Sequence, residues 1–383
     1  MTTTSRSSDA VSRAAILAAL TRQPGLSRSE LAQTLGYGPA TIGSQVKRLL
    51  ETGFVRELEP QSTGYGRPRV PLECVADVAY VIGMSVLPDH IRLTAVGTDG
   101  ALLSESTAAF DPATNVVSQL ARPVSDLIAS LDSRGACVAV GLALSGVVDS
   151  STGTVSVSVI LRWRDMPLAH ELGAELGLPV FVDNDVYVAA THSLTFDTGS
   201  TPDSFLLLSV GQGIGMAIVS DRRVLRGAHG ASSEFGHVSV DPNGRPCPCG
   251  NIGCLQGYAG LGELTHDIET ALAQQVTSFE HLARLAAGDD QRVSAIFAGA
   301  GVLLGRAVGA AITLLGIDRV LITGRTTPIW SALASGFDRG LAATTPTLNS
   351  TPVVSLTSWA EYDDAVGAAA LALNRSLGGS ARS

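Results

Sequence analysis

The sequence predicts an α/β protein in two parts: a small helical head closed by a β-hairpin, and a large body that uses one strand plan twice. Three observations carry that prediction. Apolar residues recur at helical spacing within residues 9–52, and two short strand-like runs about a Gly-rich turn follow them. The body presents "AYVIGMSVLPDHIRLTAVGTDGALLSES" (79–106) and then "SFLLLSVGQGIGMAIVSDRRVLRG" (204–227), each a strand, a turn and further strands with alternating apolar positions. Charge also separates the parts. Within a net charge of −9, residues 1–75 carry nine Lys/Arg against six Asp/Glu, and the remainder carries 17 against 29. A basic head can seek nucleic acid that would repel an acidic body.

The head divides into three helical patterns. In "DAVSRAAILAAL" (9–20), Val11, Ala15, Ile16 and Leu20 share a face, and the Pro-Gly pair at 24–25 ends the run. Ser27 and Glu30 form an S-x-x-E capping box for a second helix that turns Leu31 and Leu35 inward and stops at Gly36. Pro39 opens the third, "PATIGSQVKRLLETG", with Ile42, Val46, Leu49 and Leu50 as its buried stripe. Its other face offers Thr41, Ser44, Gln45, Lys47 and Arg48, donors and cations suited to base edges and phosphates. Ser44 and Gln45 are the stronger candidates for base reading, since a lone ammonium such as Lys47 often serves only phosphate. "FVRELEP" and "RPRVPLECV" flank the turn "QSTGYG" and read as a hairpin wing. Arg67 and Arg69 flank Pro68 at its tip, a shape that can lay guanidinium groups into a narrow minor groove. Three helices and a wing resemble a winged helix-turn-helix domain. The competing assignment is a small helical dimerisation domain with a solvated polar face; agreement of helix, wing and charge sign favours DNA.

Composition bounds the rest. In 383 residues, 45% of them hydrophobic, no stretch of about twenty apolar residues runs without a charge, so no membrane span is expected. The polar start "MTTTSRSSDAVSR" has no apolar signal core and reads as a tail on a cytoplasmic protein. Five cysteines do not make a disulfide scaffold at this length, and Cys74 and Cys137 read as buried, inert thiols. The other three crowd into "GHVSVDPNGRPCPCGNIGCLQG" (236–257). His237, Cys247, Cys249 and Cys254 there make one imidazole and three thiolates, a closed tetrahedral set for structural zinc with no position left for a catalytic water. Gly250 and Gly253 let the chain turn between the thiolates.

Motifs in the body add a family resemblance. "GLALSGVVDSSTGTV" (141–155), "VDNDVYVAATH" (182–192), "RGAHGASSEFGHVSV" (226–240) and "CPCGNIGCLQ" (247–256) occur in the order found in the ROK family of repressors and sugar kinases. The chain from about 79 to 376 resembles that family, which implies a two-lobed, actin-like sugar-kinase ATPase fold. The expected organisation is therefore a winged helix-turn-helix at 1–75, one lobe at 79–195, a second with the zinc loop at 196–360, and a helix at 361–377 returning to the first lobe. The resemblance further implies that Asn184, Asp185, Glu234 and His237, with Gln256 where the family has Glu, contact the hydroxyls of a bound sugar. Zinc would fix the loop carrying the last three.

The same comparison argues against catalysis. A kinase of the family would use Asp185 as base and a G-x-D-x-G-G-T turn for phosphate. This chain reads Gly83-Met84-Ser85-Val86-Leu87-Pro88-Asp89 there: the acid is lost, both close-approach glycines are replaced, and Pro88 has no N–H to give. "GQGIG" (211–215) keeps its glycines but has Gln212 for Thr, and "LITGRTT" (321–327) keeps only Gly324. Ile160 replaces an Asn-like sugar contact, while Trp163 remains available to stack on a sugar or to anchor a core. The expectation is a DNA-binding transcription regulator, a repressor, with no catalytic residue. It would be a homodimer or homotetramer on an inverted repeat of operator DNA, answering to a sugar or sugar-derivative effector. A sugar kinase with a DNA-binding head, and a ligand-independent repressor, are the alternatives.

Overall fold

The structure, a computed structural model, describes residues 13, 15–21, 23–61, 68–75, 78–196, 201–227, 230–231, 234–345, 351–358 and 360–377. Its chain divides into two compact units, Met1–Thr201 with Glu361–Ser383, and Pro202–Ala360. The head therefore belongs to the first unit rather than forming a third. The physical reason is a shared interior. Ile16, Leu20, Leu31, Val46 and Leu49 of the head lie in one buried apolar cluster with Val81, Val96 and Ala139 of the lobe.

Residues 15–21 are helical, followed by helices Arg28–Leu35 and Pro39–Glu51. Ser27 caps the second helix, with both bonds of the capping box formed to Glu30, and Gly36 ends it at φ +69°. Strands β1 (Val55–Glu57) and β2 (Leu72–Cys74) pair antiparallel, and a further bridge joins Gln61 to Arg69 toward the wing tip.

The body of the first unit is a five-stranded sheet of β3 (Ala79–Val86), β4 (His90–Gly97), β5 (Leu102–Ala109), β6 (Ala136–Leu144) and β10 (Val180–Asn184). Its order is β10-β6-β3-β4-β5, antiparallel across β3, β4 and β5 and parallel across β3, β6 and β10. A small antiparallel sheet of β7 (Val147–Asp149), β8 (Thr154–Ser158) and β9 (Trp163–Met166) interrupts it. The second unit repeats the plan with β11 (Phe205–Val210), β12 (Ile214–Ser220), β13 (Arg223–Leu225), β14 (Arg319–Thr323) and β15 (Val353–Leu356) in the order β13-β12-β11-β14-β15. Here too the first three strands in sequence are antiparallel and the last two join in parallel.

Small residues set how closely the layers approach. Helix Asp363–Leu377 lies on β3 and β6 through Ala365, Ala368, Ala369 and Ala372, all fully buried. A Cβ on Gly83 would stand 1.8 Å from the Ala365 carbonyl oxygen, and one on Gly141 1.9 Å from that of Ala368. In the second unit, helix Gln291–Leu315 meets helix Trp330–Thr344 in the same way, with Gly301 and Gly305 against the backbone of Leu333 and Phe337. Gln291–Leu315 is long and apolar enough to cross a membrane by composition, but half of its apolar window is buried against these neighbours, as in a core helix.

Gly83→Ala is expected to destabilise the protein by about 1–3 kcal/mol, because the obstructing atoms are backbone and cannot rotate away. Denaturant melts would show it; an unchanged midpoint would mean that the helix can ride outward at no cost.

Candidate functional site

On helix Pro39–Glu51, Ser44, Lys47 and Arg48 are exposed and Thr41 is half-buried. Ser44 Oγ donates to the Thr41 carbonyl, and Lys47 Nζ lies 3.8 Å from Glu51. Gln45, expected on this face, is only 1% exposed. It continues the buried stripe of Ile42, Val46 and Leu49, three residues on from Ile42, and its Oε1 has no partner among the described residues. The polar face is thus narrower than the sequence suggested. Arg67 lies outside the described residues.

Arg69 is tied into the head. Its guanidinium forms an ion pair with Glu30 at 2.9 Å and donates to Gln61 Oε1 and the Gly25 carbonyl, each at 2.8 Å. Glu30 in turn accepts from the Ser27 amide and hydroxyl. These bonds, with Arg69, hold its carboxyl down at about 2. Arg69 is therefore a strut between wing and capping box rather than a free finger.

In the second unit, His237, Cys247, Cys249 and Cys254 converge, their ligand atoms all within 4.8 Å of one another. Cys249 and Cys254 sulfurs are 3.7 Å apart, and His237 Nδ1 is 3.5 Å from Cys247 Sγ. A tetrahedral ion with ~2.3 Å sulfur and ~2.1 Å nitrogen bonds needs edges of roughly 3.6–3.8 Å, which these two separations match, and the donor set suits zinc. Nε2 of His237 faces Glu234 at 3.6 Å, the arrangement in which a carboxylate orients a metal-bound imidazole. Burial and the neighbouring thiols push Cys254 up to about 12, while the Asn251 backbone amide draws Cys249 down.

The loop carrying these ligands is braced by residues that sequence reading missed. Arg245 donates to Asp267 and the Gly257 carbonyl and lies 4.8 Å over the Tyr258 ring, whose hydroxyl bonds Asp241. Gly253, at φ +70°, sits where a Cβ would stand 1.6 Å from the Asp241 carbonyl oxygen. These partners are 12 to 22 residues apart in sequence, with no motif to pair them.

The expected sugar contacts fare differently from one another. Asn184 ends β10, 4% exposed, and spends both ends of its amide internally: Nδ2 donates to the Gly146 carbonyl, and Oδ1 accepts from the Val186 amide. Asp185 begins helix Asp185–Phe196, half-buried, with Oδ1 accepting from the Val186 amide. Glu234 is partly exposed beside His237. Gln256 directs its amide to the glycine loop, not outward. Trp163 is an anchor: it is 7% exposed, packs edge-on to Phe110 at 6.1 Å and donates to the Pro112 carbonyl. Cys74 and Cys137 are half-buried, and burial pushes both thiols up to about 11.

The first glycine-loop position is a tight hairpin turn. Leu87 N–H is bonded to the His90 carbonyl, Pro88 and Asp89 are exposed at the tip, and Asp89 pairs with His90 Nδ1 at 2.7 Å.

Comparison with known proteins is consistent with these features. The family model described as ROK family matches residues 81–375, and that of a winged helix-turn-helix DNA-binding domain matches 12–56. A xylose repressor of Caldicellulosiruptor bescii is 27% identical over 256 residues, covering 66% of this chain and 64% of the repressor. The chain thus spans a little under two thirds of that relative. The DNA-binding transcriptional dual regulator NagC of Escherichia coli is 22% identical over 365 residues, 92% of this chain and 90% of NagC. Among solved structures, a ROK family transcriptional regulator described as a homologue of the E. coli MLC protein superposes with a TM-score of 0.80 at 23% identity, covering 97% of both chains. A glucokinase from Streptomyces griseus, solved with glucose and AMPPNP, superposes at 0.65 and 24% identity over 76% of this chain and 99% of the kinase. At these identities the two structures speak for the fold.

Two outcomes are expected. Cys249→Ser should lose bound metal on dialysis and lower the melting temperature, since three ligands remain; full metal retention with an unchanged melt would remove the cluster as a metal centre. Arg69→Ala should destabilise the head. Because Glu30 is depressed in the folded state, its stabilising contribution stands above its ordinary 4.5 and is lost as pH falls toward about 2. An Arg69→Ala protein with an unaltered acid melt would show that the strut carries nothing.

Proposed function

The chain belongs to the ROK family, and from that premise we propose that it is a DNA-binding transcription repressor whose body senses a carbohydrate and transfers no phosphate. One observation carries the reading: the winged helix-turn-helix and ROK matches fall on a single chain, and the DNA-binding transcriptional dual regulator NagC aligns across 92% of it. Thr41, Ser44, Lys47 and Arg48 form the DNA-reading face of helix Pro39–Glu51. Ser44 and Thr41 supply hydroxyls for base edges, and the two cations neutralise phosphate. Two such heads, brought together in a dimer or tetramer, would read an inverted repeat.

The effector class follows from the relatives, named for xylose and N-acetylglucosamine. Taken each within its own unit, the Asp185 and Glu234 carboxylates remain the candidate acceptors for sugar hydroxyls that the family resemblance implies, whereas Asn184 and Gln256 are engaged internally. An effector changes DNA affinity only through unequal affinity for two arrangements of the body. Zinc, when bound by His237, Cys247, Cys249 and Cys254, would supply a rigid cross-link and no catalysis. His237 would hold the metal on the side where Nδ1 lies 3.5 Å from Cys247 Sγ, with Nε2 facing Glu234, so the ligand set would also steady a carboxylate that a sugar would meet.

Absence of kinase activity is supported by the hairpin at 87–90. Phosphoryl transfer relies on backbone N–H groups aimed at phosphate, and here Leu87 N–H is used, Pro88 has none and Asp89 adds negative charge. A ligand-independent repressor is the second reading, favoured by the same internal engagement of Asn184 and Gln256.

Fluorescence anisotropy on DNA from the protein's own upstream region, titrated with pentoses, hexoses, N-acetylhexosamines and their phosphates, tests the reading. One compound is expected to shift the affinity. Tight binding that no compound alters would favour the ligand-independent repressor, and sustained ADP release with ATP and a sugar would sink the non-catalytic assignment. Lys47→Ala should weaken binding to all sequences alike and lower the salt slope by about one; an unchanged slope would take Lys47 off the phosphate backbone.

A further inference from the structure

The second glycine loop, 211–215, is held by the Gln256 side chain from the segment that carries the Cys3His set. Gln256 Oε1 accepts from the Ile214 amide at 2.8 Å, and its Nε2 donates to the Gln212 carbonyl at 2.7 Å. Gln256 stands two residues beyond Cys254, in the turn where the Leu255 amide donates to Val238 and the Gly257 amide to Cys254. Gly236, next to His237, approaches the loop from the same side: a Cβ there would stand 2.5 Å from the Ile214 carbonyl and 3.3 Å from Gln256 Oε1. The Leu261 amide closes the loop's start by donating to Gly211. A donor and an acceptor on one planar amide thus meet an acceptor and a donor on one loop. A carboxylate at 256 could meet the Ile214 N–H but would set its second oxygen against the Gln212 carbonyl.

We propose that Gln256 is a positioning residue, a latch that fixes the glycine loop and makes its order depend on the Cys3His metal module. The latch occupies the Ile214 N–H and engages both ends of the Gln256 amide on the loop. Residue 256 therefore sets the state of the loop rather than the choice of sugar. The metal-dependent half of the proposal rests on the zinc reading above; the latch itself does not.

Hydrogen exchange of the full-length protein, read on peptides covering 211–216, tests both halves separately, with metal content measured on each sample. Gln256→Ala loses both bonds and should speed exchange there by about tenfold, with metal still bound and exchange elsewhere unchanged. Gln256→Glu, keeping one bond and adding a repulsion, should also speed it. Chelation should loosen the same segment in the wild type and do so by a smaller factor in Gln256→Ala. Unchanged exchange in Gln256→Ala overturns the latch. Equal loosening by chelator in both proteins overturns the coupling. A wild type that purifies without metal sinks the zinc reading, and the substitutions still decide the latch.

Discussion

Close approach of backbone to backbone is the constraint on which the rest of this structure depends. In the first unit a helix of small residues is pressed onto the middle strands of the sheet, and Gly83 and Gly141 are the places where no side chain fits between them. In the second, glycines on two helices admit each other's carbonyls in the same manner. Such contacts leave little tolerance, because the opposing atoms are main chain and cannot change rotamer. They also explain a sequence rich in Gly and Ala, 41 glycines among 383 residues, that still forms well-packed layers. The length and hydropathy of Gln291–Leu315 have the same origin: a helix that must be narrow and apolar on its packed side.

On these rigid layers the chain mounts two loops with opposite chemistry. The turn at 87–90 has become an ordinary hairpin, closed by its own backbone bond and tipped by proline and aspartate. The loop at 211–215 keeps its glycines but is tied to the segment that bears the metal ligands. The glycine loop is thereby part of the scaffold around the Cys3His cluster. That cluster is in turn braced by Arg245, Tyr258, Asp241 and Asp267, whose contacts hold the loop through the protein itself.

The head obeys a similar economy. Glu30 caps its helix, and Arg69 reaches from the wing to the same carboxylate, so one ion pair joins helix cap and hairpin. With Gln45 turned inward, the exposed polar surface of helix Pro39–Glu51 is a short row at its start and outer side. The shared interior of head and lobe, through residues such as Ile16, Val46, Val81 and Val96, gives a physical route by which a change in the lobe could reach that row.

Much of this was legible in the sequence. The capping box at Ser27 and Glu30, the recognition-helix stripe, the repeated strand plan and the Cys3His spacing all depend on residues close together in the chain, where periodicity and spacing fix geometry. Pro88 could be read as a lost donor for the same reason, since its missing N–H belongs to the residue itself. What required the tertiary structure was the assignment of polar side chains that have a choice of partners. Asn184, Arg69, Gln256 and Trp163 each carry groups that could face a ligand or the protein. The deciding partners, at Gly146, Glu30, Gln212 with Ile214, and Pro112, lie 38 to 51 residues away. Local sequence dictates which hydrogen bonds a side chain can make; only the folded chain dictates which partner is there to make them.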